Sequence, residues 1–402
     1  MNKSIISKRV QRISLSATLE MTRRSRELRA QGKDIINLSI GEPDFNTPDP
    51  VKEAAKKAID DNITHYPPVA GFRELQEAIS MKLKRDNNLD YSPEQVVVSN
   101  GAKQSLANIF MSILNPGDEV ILAAPYWVSY SDIIKMASGT VVAVSTGVKK
   151  HFKIQPEDLR KAITPKTKAF LFNSPSNPTG MVYSEDEIAA LVDVLKEYPD
   201  ILIVSDEIYE HIHFSGKHVS IGSFAEVKDQ VVIVNGVSKC YAMTGWRIGY
   251  MAGPKFLAEA CIKLQGQYTS GPGSISQMAA LTALKNSPKD SKYIHTMVSA
   301  FKDRRDKLVE LMSKIPGIIT YVPDGAFYLF PDVSYYYGKS FKGEEIKNGY
   351  DLSMYFLNEA NVAVVPGEAF GEANSIRISY ATSKSLIVEA IGRMKAALEK
   401  LK

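Results

Sequence analysis

The chain has 402 residues, of which 44% are hydrophobic and 23% are charged, and its formal net charge is +4. This length indicates two domains or one large domain with a smaller one, and the composition excludes a disordered or fibrous protein. The basic residues are spread along the chain without dense blocks, so the charge predicts no nucleic-acid partner.

Cysteine use and the N-terminus indicate the compartment. Only Cys240 and Cys261 occur, which is too few for a disulfide framework, and no CxxC spacing or Cys/His cluster predicts a metal site. The N-terminus lacks the continuous apolar region of a signal peptide, and no apolar run is long enough to cross a membrane. We therefore predict a cytoplasmic protein with no membrane or metal partner.

In chain order, the first recognisable element is IINLSIGEPDF, a short strand followed by a turn. From about residue 95 to 255, short apolar runs alternate with longer amphipathic ones, which is typical of strands alternating with helices in a mostly parallel sheet. Strands this apolar are buried on both faces, so helices must cover both sides of the sheet. The predicted strands are QVVVSN, DEVILAA, TVVAVST, KAFLFN, ILIVSDE, QVVIVNG and RIGYMAG.

After about residue 300 the pattern changes. FKDRRDKLVELMSKIPG and SLIVEAIGRMKAALEKLK predict helices, and GAFYLFPDV, NVAVVPG and SIRISYA predict short strands. We therefore expect an α/β protein with a large domain at residues 47–300, whose sheet has seven mostly parallel strands, and a smaller α+β domain at 301–402. Residues 1–46 form an N-terminal segment that we place with the small domain.

The candidate site residues directly follow the apolar runs, because ligands of parallel α/β sheets bind beyond the carboxyl ends of the strands. They combine aromatic rings, an amide, a carboxylate, a phenol and a lysine, which is not a random surface. In chain order they are Gly101, Ala102, Lys103, Tyr126, Trp127, Asn177, Asp206, Tyr209 and Lys239.

Several of these residues also have a purely structural explanation. The SNGAK turn can hold a phosphate on the backbone amides of a helix start, although many strand-to-helix turns hold nothing. Trp127 can belong to the core, and Asn177 before Pro178 can cap a turn. Asp206, at the end of a buried strand, can pair with an arginine.

The stretch NGVSKCYAMTGWRIGY places two cations in a segment that otherwise looks buried. Burying a charge is costly unless it is paired, so the segment predicts either a structural ion pair or an anionic, reactive ligand. A half-buried Lys239 with a lowered pKa has the property that Schiff-base chemistry requires. Arg247, between Gly245 and Gly249, can then hold a phosphate.

These motifs resemble a known family. SKCYAMTGWRIGY is similar to the pyridoxal-phosphate lysine signature of class I aminotransferases, and GEPDF, NPTG, DEIY and SIRISYA resemble the family's other landmarks in the same order. The similarity spans nearly the whole chain and is closest to the bacterial aspartate aminotransferase branch. It implies the type I fold of pyridoxal 5'-phosphate enzymes and a ping-pong transfer of the amino group from L-aspartate to 2-oxoglutarate.

The resemblance also implies roles for single residues. Lys239 would carry the cofactor and move the proton of the substrate Cα, and Asp206 would pair with the pyridine nitrogen. Asn177 and Tyr209 would hydrogen-bond the phenolic oxygen of the cofactor, and Trp127 would stack on its ring.

The same resemblance implies how the two ends of the ligand are held. The cofactor phosphate would bind Arg247 and the backbone amides from Gly101 to Lys103, and Ser238 would also contact the cofactor. Tyr66 would reach the phosphate of the neighbouring subunit, which implies a homodimer. The substrate α-carboxylate would form a bidentate pair with Arg377, aided by Gly41 and Asn177, with Trp127 beside the substrate.

Substrate choice is the least determined part of the resemblance. In this branch a lysine at the position of Lys103 accompanies dicarboxylic substrates, which favours aspartate and glutamate. Members that accept prephenate tend to carry a lysine where this chain has Ser14, so we rank prephenate below aspartate, although nearby Arg12 can substitute. The resemblance also leaves open an aminotransferase for aromatic or neutral amino acids, a lyase with the same cofactor, and a regulator, for which we find no DNA-binding domain before GEPDF.

Overall fold

The computed structural model describes residues 5–14 and 17–402. Residues 1–4, 15 and 16, which belong to the predicted N-terminal segment, lie outside the described residues. The strands, numbered in chain order, are β1 (Ile36–Asn37), β2 (Val96–Ser99), β3 (Glu119–Ala124), β4 (Thr140–Ser145), β5 (Thr167–Asn173), β6 (Leu202–Asp206), β7 (Val231–Gly236), β8 (Gly249–Ala252), β9 (Tyr328–Leu329), β10 (Ser340–Phe341), β11 (Glu344–Glu345), β12 (Val362–Ala363), β13 (Val365–Pro366) and β14 (Ile376–Ser379).

Helices connect and cover these strands. Within the described ranges, none of them combines the length and the apolar composition that crossing a membrane requires. The helices are α1 (Lys8–Gln11), α2 (Ala17–Ala30), α3 (Asp49–Asp60), α4 (Arg73–Asn87), α5 (Ala102–Ile113), α6 (Val128–Met136), α7 (Pro156–Ala162), α8 (Glu185–Leu195), α9 (Lys255–Tyr268), α10 (Ser274–Lys285), α11 (Lys292–Met312), α12 (Gly349–Tyr355) and α13 (Lys384–Leu398).

Strands β2 to β8 form one sheet in the order β2-β8-β7-β6-β5-β3-β4. The neighbours among β3, β4, β5, β6 and β7 are parallel, whereas β8 is antiparallel to both β7 and β2. Each of the seven predicted apolar runs forms one of these strands. The prediction of a mostly parallel, seven-stranded sheet is therefore confirmed.

Apolar residues cover both faces of this sheet. In β7, Val231 and Ile233 pack in one buried cluster, and Val232 and Val234 pack in another, because successive side chains of a strand point to opposite faces. Helices α4, α8 and α10 contribute to the first cluster, and α5, α6 and α9 contribute to the second. The continuous apolar runs are thus explained by burial on both sides.

Local sequence signals set several helix ends. Helix α8 begins with a capping box, in which the Ser184 hydroxyl accepts from the Glu187 amide at 3.2 Å and the Glu187 carboxylate accepts from the Ser184 amide at 2.7 Å. Ser383 caps α13 through the backbone amide of Leu386. Helix α4 ends at Asn87 and is capped by Asn88, whose φ of 57° is left-handed.

The C-terminal part has its own small sheet, β13-β14-β9, which is antiparallel. Residues of α11 and α13 pack with this sheet in one buried cluster. Strand β1 pairs in parallel with β12, which favours our placing of residues 1–46 with the small domain. Helix α11 crosses residue 300, so the expected division there falls inside one helix; the three domain ranges stay predictions.

The carboxyl edge of the large sheet brings distant parts of the chain together. Asn173, at the end of β5, lies opposite Asp206, at the end of β6. Strand β8 starts at this edge with Gly249, which faces both Gly236 and Ser99. A Cβ atom at Gly249 would lie 2.1 Å from the backbone nitrogen of the first residue of α5. Glycine therefore allows β8 to pass closely under the helix start.

Candidate active site

A cavity of about 430 Å³ opens at this edge of the sheet. It is lined by most of the residues that the sequence predicts, which come from segments far apart in the chain. Three predicted residues are outside the lining. Gly101 lies behind it against Arg247, Tyr66 is 96% exposed elsewhere on the surface, and the ring of Tyr126 lies against Gly371. The predicted residues in the lining are Gly41, Ala102, Lys103, Trp127, Asn177, Asp206, Tyr209, Ser238, Lys239, Arg247 and Arg377.

Lys239 lies in the turn that follows β7, with its side chain partly exposed to the cavity. Its amino group donates to the Gly41 carbonyl at 2.5 Å, and the rings of Tyr209 and Phe327 are centred 5.7 and 5.8 Å from the Nζ atom. Desolvation, together with the positive charge of Arg377, lowers the pKa of Lys239 to about 8. An amine with this pKa is partly deprotonated near neutral pH and can act as a nucleophile or a base.

Asp206 is buried at the end of β6. Its carboxylate accepts hydrogen bonds from the Tyr130 hydroxyl at 2.7 Å and from the Ile208 amide at 3.2 Å, both of which are neutral groups. Desolvation raises the pKa of Asp206 to about 6, although the Tyr130 hydrogen bond acts in the opposite direction. A buried carboxylate with neutral partners favours a cationic ligand group beside it.

The phenol and the amide are held by hydrogen bonds to neighbours. The Tyr209 hydroxyl lies 2.8 Å from the hydroxyl of Tyr328. The backbone amide of Asn177 donates to Asn173 Oδ1 at 2.9 Å, and Asn173 Nδ2 donates to the carbonyl of Asp206 at 2.8 Å. The loop that carries Asn177 is therefore tied directly to the end of β6.

Two cations lie at the start of α5, Lys103 and Arg247. Arg247 is exposed and donates to two backbone carbonyls at 2.8 and 3.2 Å. Gly101 has a φ of +85°, and a Cβ atom there would lie 2.3 Å from Nη2 of Arg247, so the guanidinium needs a glycine at that position. The Nζ atom of Lys103 lies 4.9 Å from the ring centre of Trp127, and desolvation and the Arg247 charge lower the pKa of Lys103.

Arg377 is a buried cation without a carboxylate partner among its hydrogen bonds in the described residues. Nη2 donates to the Ser39 carbonyl at 2.6 Å and Nη1 to Asn177 Oδ1 at 3.1 Å, while the buried Nε has no partner. The guanidinium carbon lies 4.6 Å from the ring centre of Tyr328 and 5.1 Å from that of Phe370. Desolvation lowers the pKa of Arg377, and an anionic ligand would compensate for that burial.

Taken together, these groups fit pyridoxal 5'-phosphate and an amino acid. The orphaned Nε of Arg377 suits a substrate carboxylate, and the glycine and Arg247 at the start of α5 suit a phosphate. The buried carboxylate of Asp206 can pair with a protonated pyridine nitrogen. The amine of Lys239 can form a Schiff base with an aldehyde.

Our sequence reasoning did not identify several residues of this cavity. Tyr130 lies inside the PYWVSY motif, three residues after Trp127, but looks like an ordinary aromatic residue of α6. Asn173 and Tyr328 lie within apolar strands, where nothing indicated a polar role. Helix α2 also forms one wall of the cavity, and the hydropathy pattern of the sequence did not indicate this position. The lining residues that were not predicted include Thr18, Thr22, Arg26, Tyr130, Asn173 and Tyr328.

A second, wider cavity of about 640 Å³ lies beside the first and shares Ile40 and Glu42 with it. It is lined by the N-terminal segment and by the residues that follow β14, and it contains none of the predicted site residues. We therefore place the site in the smaller cavity.

Beneath the site, a buried ion pair joins Lys82 of α4 to Glu210, four residues beyond Asp206. Asn87 and Asn235 each donate to the Glu210 carboxylate at 2.7 Å, and the His211 Nε2 atom lies 3.1 Å from it. Desolvation is the largest influence on Glu210 and acts upward, but the charges of His211 and Lys82 together hold its pKa well below the usual range. The network therefore anchors the turn that carries Asp206 to helix α4 and to β7.

The sequence predicts no metal, yet the structure brings Glu207, Glu210 and His218 close together. These groups already have protein partners. The Glu207 carboxylate accepts from the Ser220 hydroxyl at 2.6 Å and lies 3.1 Å from His218 Nε2, and Glu210 pairs with Lys82. We therefore interpret the cluster as a structural hydrogen-bond network.

Comparison with known proteins identifies the class of enzyme. The family model described as aminotransferase class I and II matches residues 33–394. A probable aspartate/prephenate aminotransferase of Rickettsia bellii is 48% identical over 98% of this chain and 99% of its own length. The aspartate aminotransferase of Bacillus subtilis is 45% identical over 98% of this chain and 99% of its own.

Solved structures agree with the fold. The aspartate aminotransferase from Rhizobium meliloti superimposes with a TM-score of 0.95 and 42% identity, covering 99% of both chains. The Thermus thermophilus aspartate aminotransferase with maleate gives a TM-score of 0.92 and 42% identity, covering 99% of this chain and all of that one.

The fold is that of a pyridoxal-phosphate-dependent transferase, as the resemblance implied. The chain belongs to the class I and II aminotransferase family. It therefore uses pyridoxal 5'-phosphate to exchange amino groups between amino acids and 2-oxo acids.

The buried pair beneath the site gives a stability prediction. Replacing Lys82 by Met leaves the Glu210 carboxylate buried without its cation, so we expect the free energy of unfolding to fall by about 3–5 kcal/mol. Lys84 lies on the same helix, with 59% of its side chain exposed and 3.6 Å from Asp90. Its replacement by Met should change the free energy of unfolding by less than about 1 kcal/mol.

Denaturant unfolding of the two variants and the unmodified protein measures the difference. Equal unfolding midpoints for Lys82→Met and Lys84→Met would show that the buried pair contributes nothing to stability.

Proposed function

We propose that this enzyme transfers the amino group of L-aspartate to 2-oxoglutarate, giving oxaloacetate and L-glutamate in a reversible ping-pong reaction. The observation that carries the proposal is the pair of cations on separate walls of the cavity. Arg377 on β14 has an unsatisfied Nε, and Lys103 on α5 has no anion among its contacts in the described part of the chain. Two such cations suit a substrate with two carboxylates, and relatives named aspartate aminotransferase support the choice.

The cofactor would be held by residues that converge on the cavity. When bound, pyridoxal 5'-phosphate supplies a conjugated ring that spreads the negative charge left at the substrate Cα. Asp206 would face the pyridine nitrogen, and Trp127 would cover the ring. Arg247, Ser238 and the backbone amides of residues 101–103 would surround the phosphate, where the α5 start favours an anion.

Lys239 would attach the cofactor and move the proton at the substrate Cα. Its pKa of about 8 keeps both the neutral and the protonated amine populated near neutral pH. A group that transfers a proton in both directions is most effective when its pKa is near the working pH.

Arg377 would fix the orientation of the substrate through its α-carboxylate. The Ser39 carbonyl and Asn177 already hold the guanidinium by hydrogen bonds, and Tyr328 and Phe370 flank it. A cation that is fixed in this way loses little freedom on binding, so it can hold the Cα–H bond in one direction. Gly41 would complete the carboxylate site, and Tyr209 with Asn177 would contact the phenolic oxygen of the cofactor.

Prephenate is a second candidate acceptor. Several relatives carry names that join aspartate and prephenate, including the 44% identical bifunctional enzyme of Petunia hybrida. Ser14 stands where prephenate-accepting members tend to carry a lysine, and Arg12 is the nearby cation that can substitute. Both are exposed and lie outside the cavity lining. Aspartate therefore stays the first candidate.

The aspartate reaction can be tested with purified protein and a panel of amino donors. We expect 2-oxoglutarate to be converted faster with aspartate than with alanine or phenylalanine, because only aspartate engages both cations. Replacing Lys239 by Ala should lower kcat by about 10⁴-fold, whereas Lys263→Ala, at an exposed position on α9, should leave it unchanged. Preference for phenylalanine, or normal turnover by Lys239→Ala, would contradict the proposal.

The lowered pKa of Lys239 predicts the pH dependence of cofactor attachment. Only the neutral amine attacks the aldehyde, so the attachment rate of cofactor-free protein should rise with pH through about 8 and then level off. With an unperturbed lysine, the attachment rate should continue to rise with pH until the pH reaches the ordinary lysine pKa of about 10.4. Absorbance changes on mixing with the cofactor give the rates, with Nα-acetyl-lysine as the reference amine; a protein profile that follows the reference amine would refute the shift.

We also propose a homodimer in which Tyr66 completes the site of the partner. This rests on the implied family role and on the 96% exposure of this tyrosine in the single chain. Tyr66→Ala should weaken cofactor binding, and Lys239→Ala should abolish turnover. Mixing the two variants should then restore turnover at limiting cofactor, because one site of a mixed dimer has both groups. No recovery after subunit exchange, with light scattering confirming the dimer, would indicate that Tyr66 does not act across subunits.

A further inference from the structure

Helix α2 forms a wall of the active-site cavity that sequence reasoning did not anticipate. Thr18, Thr22 and Arg26 line the cavity and are spaced four residues apart, so they share one face of the helix. An adjoining side of the helix carries Met21, which is 2% exposed and packs in a cluster with Ile35, Leu357 and Ala363. The packing of Met21 therefore fixes which face of α2 is turned toward the cavity.

The charged residues of α2 differ in their partners. Arg23 pairs with Glu27 at 2.5 Å, and Arg24 pairs with Glu20 at 2.8 Å. Arg29 donates to the Ile35 carbonyl at 2.6 Å. The side chain of Arg26, which lines the cavity, has no hydrogen bond or ion pair with any residue that the structure describes.

The charge of the cavity strengthens this observation. Its lining contains five cationic side chains but only two carboxylates, those of Glu42 and Asp206. Glu42 accepts from the Thr244 hydroxyl at 2.9 Å, and Asp206 is buried beside Tyr130. In the proposed function, Arg247 and Arg377 serve the phosphate and the α-carboxylate, and Lys239 reacts. The two cations left for the side chain of a substrate are Lys103 and Arg26.

We propose that Arg26 acts with Lys103 as the binding site for the second carboxylate of dicarboxylic substrates. Lys103 approaches from α5 and Arg26 from α2, so a substrate carboxylate between them would contact two cations from separate elements. The inference rests on the proposed function and extends it, since it assigns substrate choice to a residue outside the family motifs. Arg26 would act on specificity, because it attracts a charge that a monocarboxylic substrate lacks.

Binding of unreactive carboxylates to the cofactor-loaded enzyme tests the proposal without turnover. Maleate and glutarate carry two carboxylates, and butyrate carries one. We expect Arg26→Gln to raise the Kd of each dicarboxylate about fivefold relative to that of butyrate, as for a solvent-accessible ion pair. Arg26→Lys should keep most of the preference, and added KCl should reduce it in the unmodified enzyme more than in Arg26→Gln.

Arg23→Gln is the matched control, because Arg23 is an exposed arginine on the same helix outside the cavity lining. A ratio of dicarboxylate to butyrate affinity that is the same in Arg26→Gln, Arg23→Gln and the unmodified enzyme would overturn the proposal. A different result would contradict the proposed function: the unmodified enzyme would bind glutarate but transfer no amino group from aspartate. The comparison of Kd values still decides the role of Arg26 in that case.

Discussion

The arrangement of this enzyme depends on charges that are buried or crowded at one edge of a sheet without neutralising one another. Arg377 is 2% exposed and Asp206 is 3% exposed, and the hydrogen-bond partners of both are neutral. Isolated buried charges oppose folding, so the rest of the protein must offset their cost. The two apolar layers on the large sheet and the cluster in the C-terminal part supply that stability. A cofactor and a substrate of complementary charge would then bind groups that are already dehydrated and oriented. The charges that are costly to bury in the free protein are therefore useful for catalysis.

The same principle explains the layer beneath the site. Asp206, Tyr209 and Glu210 belong to one short turn, and only Glu210 is neutralised inside the protein, by Lys82 and its neighbours. The network around Glu210 fixes the turn to α4 and β7. Asp206 and Tyr209 therefore keep their directions with no ion pair of their own among the described residues. In DEIYE the candidate functional carboxylate of Asp206 is thus followed by two structural carboxylates, Glu207 and Glu210, and burial alone does not distinguish the three. The distinction lies in the partners that the fold provides.

Much of this architecture could be predicted from the sequence, and the remainder shows where local reasoning ends. The seven strands were identifiable because burial on both faces makes each one a continuous apolar run. Residues of the cavity lining such as Trp127, Asn177 and Lys239 were identifiable because they follow those strands, whereas Gly41 and Arg377 were predicted only from the family resemblance. Tyr130, Asn173 and Lys82 were missed because their roles arise from contacts between segments 33 to 128 residues apart. The division expected at residue 300 falls within α11, because a helix can serve two parts of the chain and its periodicity does not change where the parts meet.

The residues of the cavity therefore divide according to how firmly the fold holds them. Asp206, Lys239 and Arg377 lie in or next to strands and have fixed contacts with neighbouring groups. The proposed function assigns to them the chemistry that is common to all amino acids. Lys103 and Arg26 project from helices α5 and α2 and keep exposed side chains. An exposed cation contributes little to the stability of the protein, so it can change without unfolding the chain. In the proposed function, substrate choice would then rest on the positions that the fold constrains least, and the reaction on those that it constrains most.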